Sequence, residues 1–155
     1  MSSDNNRNIG LSEIIRMLEN NVTFTQAADS VLECITDSMD ICDAVVMQID
    51  RESDTMHVIS ETGNCFKDES GTVKRSEFVL CSDAIKITYE GNADTAQKGL
   101  LDRLGVKLSI TVPILINNVK AMYLIVLSND VQAVSDNKIK EYISDMALVL
   151  HGIAQ

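Results

Sequence analysis

Apolar residues recur at helical spacing toward both ends of the chain and form β-type runs between them. Over residues 9–20, Leu11, Ile14, Ile15 and Leu18, with Val22 just beyond, fall on one side of a helix. A second helix follows at once, because Thr23 and Gln26 stand in capping-box register. Its apolar face is Ala27, Ala28, Val31, Leu32, Ile35 and Met39, opposite a wet face of Asp29, Glu33 and Asp37. At Asp43 the period changes. Residues 44–49 are rich in β-branched side chains and predict a strand, 50–54 a polar turn, and 55–60 the returning strand of a hairpin. Residues 61–76 are polar, carry Gly63 and Gly71, and read mostly as loop; 77–81 predict a short strand. Residues 94–104 predict a short helix capped by Asp94 and stopped by Gly105. Two strongly apolar strands, 108–116 and 119–127, flank Asn117-Asn118, a pair suited to a tight hairpin. Runs this continuous imply burial on both faces of the sheet. Pro113 cannot donate to a ladder, so its strand is bulged or at an edge there. Residues 136–154 form a closing helix. Helices at both ends around antiparallel hairpins define an α+β fold, one sheet with the terminal helices packed on one face.

A chain of 155 residues is long enough for one core without disulfides or metal. The charge balance is 13 − 23 = −10, and no basic cluster exceeds Lys74-Arg75. A phosphate-neutralising groove needs several cations on one face, so neither nucleic acid nor an anionic membrane is an expected partner. The first eight residues are polar and form no signal peptide, and no apolar run approaches the ~20 residues of a membrane span. Cys34, Cys42, Cys65 and Cys81 include no CxxC pair, which fits reduced thiols in the cytoplasm. The expected organisation is a disordered polar leader over 1–8 and a single domain over 9–155. The 136–154 helix reaches the end of the sequence without a cap and is expected to lead into an output domain.

Three stretches give the chain a family resemblance: DSMDICDAVVMQID at 37–50, TMHVISETG at 55–63, and LLDRLGVKLSITVPILINNVKAMYLIVLSND at 100–130. They resemble the GAF domain, a sensory module of signalling proteins. The most telling positions are Leu104-Gly105-Val106, Ser109 opening a strand, and Val112-Pro113-Ile114; Ala121 stands near a place where the family usually has Gly. The resemblance covers about residues 9–153. It implies an antiparallel sheet of about six strands, with one face covered by the terminal helices. The other face, roofed by the irregular middle segment, is then expected to hold a small-molecule pocket.

No catalytic motif accompanies this pattern: GxSxG, Walker, HExxH and Gly-rich dinucleotide sequences are all missing. His57 alternates with apolar neighbours in a strand, and His151 sits near a helix C-terminus, where a cation is favoured. Neither points to catalysis, and no metal site or enzyme activity is expected of this domain alone. Cys34 and Cys42 occupy positions natural for small buried hydrophobes. Cys65 and Cys81 lie in the segment that would roof the pocket and are the only plausible reactive pair. Their pattern does not match GAF-like thiol enzymes that reduce free methionine sulfoxide. Nor does either precede a His, as the attaching cysteine generally does in tetrapyrrole-binding relatives. The constellation of the cyclic-nucleotide-binding subgroup is not found. No cofactor is specified.

Pocket candidates follow from the implied architecture: Met47, Ser109, Thr111 and Tyr123 from the strands, and Phe66, Phe78, Cys81 and Leu101 from the roof. The competing reading is that all are ordinary core. In the last helix, Ile139, Ile143, Met146, Leu150 and Ile153 recur at heptad spacing, while Tyr142, Leu148 and Val149 widen the apolar surface. Family members often dimerise through their first and last helices. A homodimer interface built from Ile14, Leu18, Ile143, Met146, Leu150 and Ile153 is therefore expected, against the alternative that the stripe is the helix's own core face. The resulting expectation is a cytoplasmic sensory or regulatory domain. It binds an unidentified small molecule and signals through dimeric helices to a kinase, diguanylate cyclase or transcriptional-activator output domain. The alternatives are a ligand-free dimerisation or scaffold module, and a small thiol enzyme.

Overall fold

The computed structural model describes residues 23–50, 55–66, 73–74, 85–116, 119–130, 132 and 136–154. The helix predicted over 9–20 and the strand predicted over 77–81 lie outside that set, and with them Ile14, Leu18, Phe78 and Cys81. The described elements run α1 (Phe24–Ser38), β1 (Asp43–Asp50), β2 (Thr55–Glu61), β3 (Val73–Lys74), β4 (Lys86–Tyr89), α2 (Thr95–Leu104), β5 (Leu108–Ile116), β6 (Val119–Ser128) and α3 (Asn137–Ala154). The six strands form one antiparallel sheet in the order β3-β2-β1-β6-β5-β4.

Local sequence dictates where the helices begin and end. The Thr23 hydroxyl accepts from the Gln26 amide at 3.2 Å, and the Gln26 side chain accepts from the Thr23 amide at 3.1 Å. Asp94 and Gln97 repeat this reciprocal cap at the start of α2, both bonds at 2.9 Å. Gly105 closes α2 with φ +71°, a left-handed conformation that a side chain would strain.

The two hairpins, β1–β2 and β5–β6, join along β1 and β6, where Val46 pairs with Leu124 and Met47 with Tyr123. Because side chains alternate across a strand, each central strand feeds two cores. Ala44, Val46, Ile110, Val112, Ile114, Met122, Leu124 and Val126 pack against α1 and α3. Val45, Met47, Ile49, Tyr123, Ile125 and Leu127 point the other way, toward Phe66 and α2. Burial on both faces explains why these strands lack the polar alternation of a half-wet sheet. Val31, Leu32 and Ile35 of α1 are wholly buried, and each contributes about 1.5–3 kcal/mol of burial to holding the helix on the sheet.

Two strands escaped the sequence reading: β3, with only two residues, and β4. The second carries alternation in Ile85-Lys86-Ile87-Thr88-Tyr89, a short pattern next to a polar segment. Pro113 sits as its chemistry requires. Among the described residues the β4 ladder ends at the Lys86–Thr111 pair, so Pro113 lies beyond its last described partner on that side.

The α3 stripe needs correcting as a dimer interface. Ile143, Met146 and Leu150 are wholly buried in the chain's own helix-face core, and Ile153 is half-buried against it. The helical period that looked like an intermolecular seam turns these side chains onto the sheet. Tyr142 joins them, its hydroxyl 3.2 Å from both the Ser38 hydroxyl and the Cys34 carbonyl oxygen. That contact ties α3 to α1. Of the large apolar residues described, Leu148 alone stays exposed, at 65%.

Candidate ligand site

The face opposite α1 and α3 gathers most of the residues that the sequence singles out. Met47 and Tyr123 are cross-strand partners there, Phe66 packs beside them, and α2 lowers Leu101 onto the same cluster. Ser109 and Thr111 share that face, since their partners Leu127 and Ile125 belong to the same cluster. Phe78 and Cys81 fall outside the described residues. The six remaining candidates therefore lie on one side of the sheet.

Beside α2 a cleft of about 640 Å³ opens between the end of β4 and the start of β5. Leu101 and Val106 make its apolar wall, Tyr89 and Gly91 the opposite one, and Lys98, Asp102, Glu90 and Lys107 its charged rim. Among the described sequence candidates, Leu101 alone reaches it. Asn92 holds the turn on the β4 side, accepting from the Tyr89 amide and donating to the Ile87 carbonyl, both at 2.8 Å.

Thr88 is the residue that sequence reasoning missed. It pairs with Ser109 across β4 and β5, on the face that α2 covers, and is 2% exposed. Among the described residues its Oγ1 is buried without a hydrogen-bond partner. Neighbouring Thr111 donates to the Lys86 carbonyl at 3.4 Å. Thr88, Ser109 and Thr111 thus make a hydroxyl patch at one end of an otherwise apolar face. Finding Thr88 required assigning β4 as a strand, because only the pairing with Ser109 reveals which way it points.

At the far end of this face, the loop after β2 hangs on two carboxylates. Asp43 is 1% exposed. Its Oδ1 accepts from the amides of Ala44 (2.9 Å) and Gly63 (2.7 Å) and from the Thr62 hydroxyl (3.3 Å), while Oδ2 accepts from the Cys65 amide (3.3 Å). Glu61 accepts from the Phe66 amide at 3.0 Å. Burial, and then the hydrogen bond to Asp43, push the Glu61 carboxyl up to about 7. Burial and the nearby Asp43 push the Cys65 thiol up to about 11, so the nucleophilic thiolate is scarce at neutral pH. Among the described residues, no group of His, Cys, Asp and Glu is arranged to hold a metal ion, and no helix is long and apolar enough to cross a membrane.

No protein-family profile and no curated protein sequence matches the chain. Solved structures do. The nlh2 GAF domain of A. aeolicus in an inactive state is 16% identical with a TM-score of 0.73, covering 98% of this chain and 97% of that one. The phycoerythrobilin-bound GAF domain of a cyanobacterial phytochrome is 12% identical with a TM-score of 0.68, covering 97% of each chain. The GAF domain of a putative sensor histidine kinase from Pseudomonas syringae pv. tomato is 9% identical with a TM-score of 0.65, covering 94% of this chain and 83% of that one. The fold is thus that of GAF domains, as the three sequence stretches indicated.

Proposed function

We propose that this chain is a sensory or regulatory domain of a cytoplasmic signalling protein, binding a small molecule on the α2 face of its sheet. The observation that carries the reading is the Thr88 hydroxyl. A buried, unpaired hydroxyl costs about 1–3 kcal/mol, and a ligand with a hydrogen-bonding edge recovers that cost on binding. Its apolar body would lie along Leu101, Met47 and Tyr123, with Ser109 and Thr111 beside the polar edge. Structural neighbours taken from a sensor histidine kinase and a phytochrome favour a role in signal input.

Transmission would run through the sheet to α1 and α3, which share one core and the Tyr142 contact. From there it would pass through a homodimer to an output domain of kinase, diguanylate cyclase or transcriptional-activator type. The surface of α3 open to a second copy is centred on Leu148. A second reading, a ligand-free dimerisation module, draws support from the near-complete burial of Met47, Phe66 and Tyr123. The thiol-enzyme alternative is disfavoured by the raised Cys65 thiol.

Native mass spectrometry of protein purified from cells tests the ligand. A retained small molecule, lost on denaturation and diminished in Thr88→Val, supports binding. The same substitution should stabilise the ligand-free protein by about 1 kcal/mol, because an isosteric methyl removes the unpaired hydroxyl. No retained mass, together with a Thr88→Val protein no more stable than the parent, supports the ligand-free module instead.

A further inference from the structure

Two acidic side chains meet at the junction of β1, β2 and the loop that delivers Phe66. Asp43 already accepts four hydrogens, two from loop amides and one from the Thr62 hydroxyl in the loop. Glu61 accepts one, from the Phe66 amide, next along the chain from the Cys65 amide that Asp43 takes, so the two carboxyls converge on adjacent amides. A hydrogen bond to Asp43 is among the causes that raise the Glu61 carboxyl. Two carboxyls can hydrogen-bond to each other only if one carries a proton. The acid with fewer donors directed at it gains least from ionisation, so the proton belongs to Glu61.

We propose that the Asp43–Glu61 carboxyl pair is a proton-operated latch on the 62–66 loop, holding Phe66 in the α2-face core when one proton is shared and loosening it when that proton leaves. The released proton goes to solvent, leaving two anions in contact across the loop. The charges around the pair sharpen the response. Asp29, Glu33 and Asp37 of α1 line the groove of about 500 Å³ that exposes Glu61, with Ser60 and Thr62 beside them. Asp29 is engaged by the Ser60 hydroxyl. Cys42 and Cys65 flank the pair from the start of β1 and from the loop. Among the described residues lining the groove there is no Lys, Arg or His to compensate the second negative charge. Burial and Asp43 together place the Glu61 transition at about 7.

The sign follows from linkage. The folded chain holds the Glu61 proton more tightly than an unfolded chain does, so the latch is fully closed well below pH 7. It weakens as pH rises through that value. Phe66 shares its core with Met47, Tyr123 and Leu101, so loosening the loop alters the face that the proposed ligand occupies. The latch does not depend on a ligand, and its test needs none.

Hydrogen exchange at the amides of Gly63 and Cys65, the two loop amides that Asp43 holds, should be followed from pH 5.5 to 8.5 and corrected for the intrinsic base-catalysed rate. The Phe66 amide is left out because its bond to Glu61 strengthens when that carboxyl ionises. Protection in the wild-type protein should fall about fivefold or more, with a midpoint near 7. Glu61→Gln should remove the step, because its amide donates to Asp43 at every pH while its carbonyl still accepts from Phe66. Flat wild-type protection, or an undiminished step in Glu61→Gln, overturns the proposal. If that variant does not fold, carboxyl-carbon NMR of the wild-type protein decides: a Glu61 midpoint in the ordinary carboxylate range is incompatible with the latch.

Discussion

Replacing Gly63 by alanine tests the loop geometry directly. A Cβ built on Gly63 would lie 2.9 Å from Asp43 Oδ1, 3.1 Å from its Cγ and 3.4 Å from the Cys42 carbonyl oxygen. The carboxylate cannot swing away, since the same Oδ1 holds the Ala44 and Gly63 amides and the Thr62 hydroxyl. The Gly63 backbone must therefore retreat by several tenths of an ångström, stretching its own 2.7 Å bond to Asp43. Overpacking costs about 1–3 kcal/mol. Narrowing the unfolded ensemble returns about 0.4–1 kcal/mol. The net expectation is about 1–2 kcal/mol of destabilisation, or a Tm lower by about 2–8 °C for a chain of this size. Thermal melting and urea unfolding read it. The cause is isolated by a double-mutant cycle, because in an Asp43→Ala background the steric partner is gone and the added methyl should cost nothing. A Gly63→Ala protein as stable as wild type, or an equal penalty in both backgrounds, would refute the reasoning.

Tyr142→Phe should cost about 0.5–1.5 kcal/mol, because it deletes the hydroxyl joining α3 to the Cys34 carbonyl and the Ser38 side chain; chemical denaturation measures it. Leu148→Glu should leave thermal stability within about 0.5 kcal/mol, since the side chain is exposed. Light scattering should show it weakening a homodimer if α3 forms the interface, and an unchanged dimer would move the interface elsewhere.

The legibility of the sequence was uneven for physical reasons. The capping box at Thr23, the cap at Asp94 and the turn at Gly105 were readable because their chemistry closes within three or four residues. The strands of the two hairpins were readable because doubly buried strands must be continuously apolar. The α3 seam misled because heptad spacing and the stripe of a core-facing helix differ too little over two heptads to be told apart. What periodicity cannot carry is pairing between distant segments. Asp43 has no local partner beyond Ala44, and its role appears only when Gly63 and Cys65, some twenty residues on, fold back onto it. Thr88 likewise acquires meaning only opposite Ser109.

The two faces of the sheet differ in kind along this line. On the helix side, strand residues meet α1 and α3 with apolar side chains, and the polar contact joining those helices is satisfied at Tyr142. Under the proposed function such a face would transmit displacement, because close-packed side chains leave no slack to absorb it. The opposite face is apolar along β1 and β6 but hydroxyl-bearing at β4 and β5, and its loop is pinned by carboxylates. Unpaired or titratable groups make a face responsive, since their free energy changes when a ligand or a proton arrives. Both faces hang on the same strands, and Val46 and Met47 are adjacent residues of β1 pointing to opposite cores. A shift felt by Met47 therefore has a one-residue path to the helices, and the proposed sensory role rests on this asymmetry.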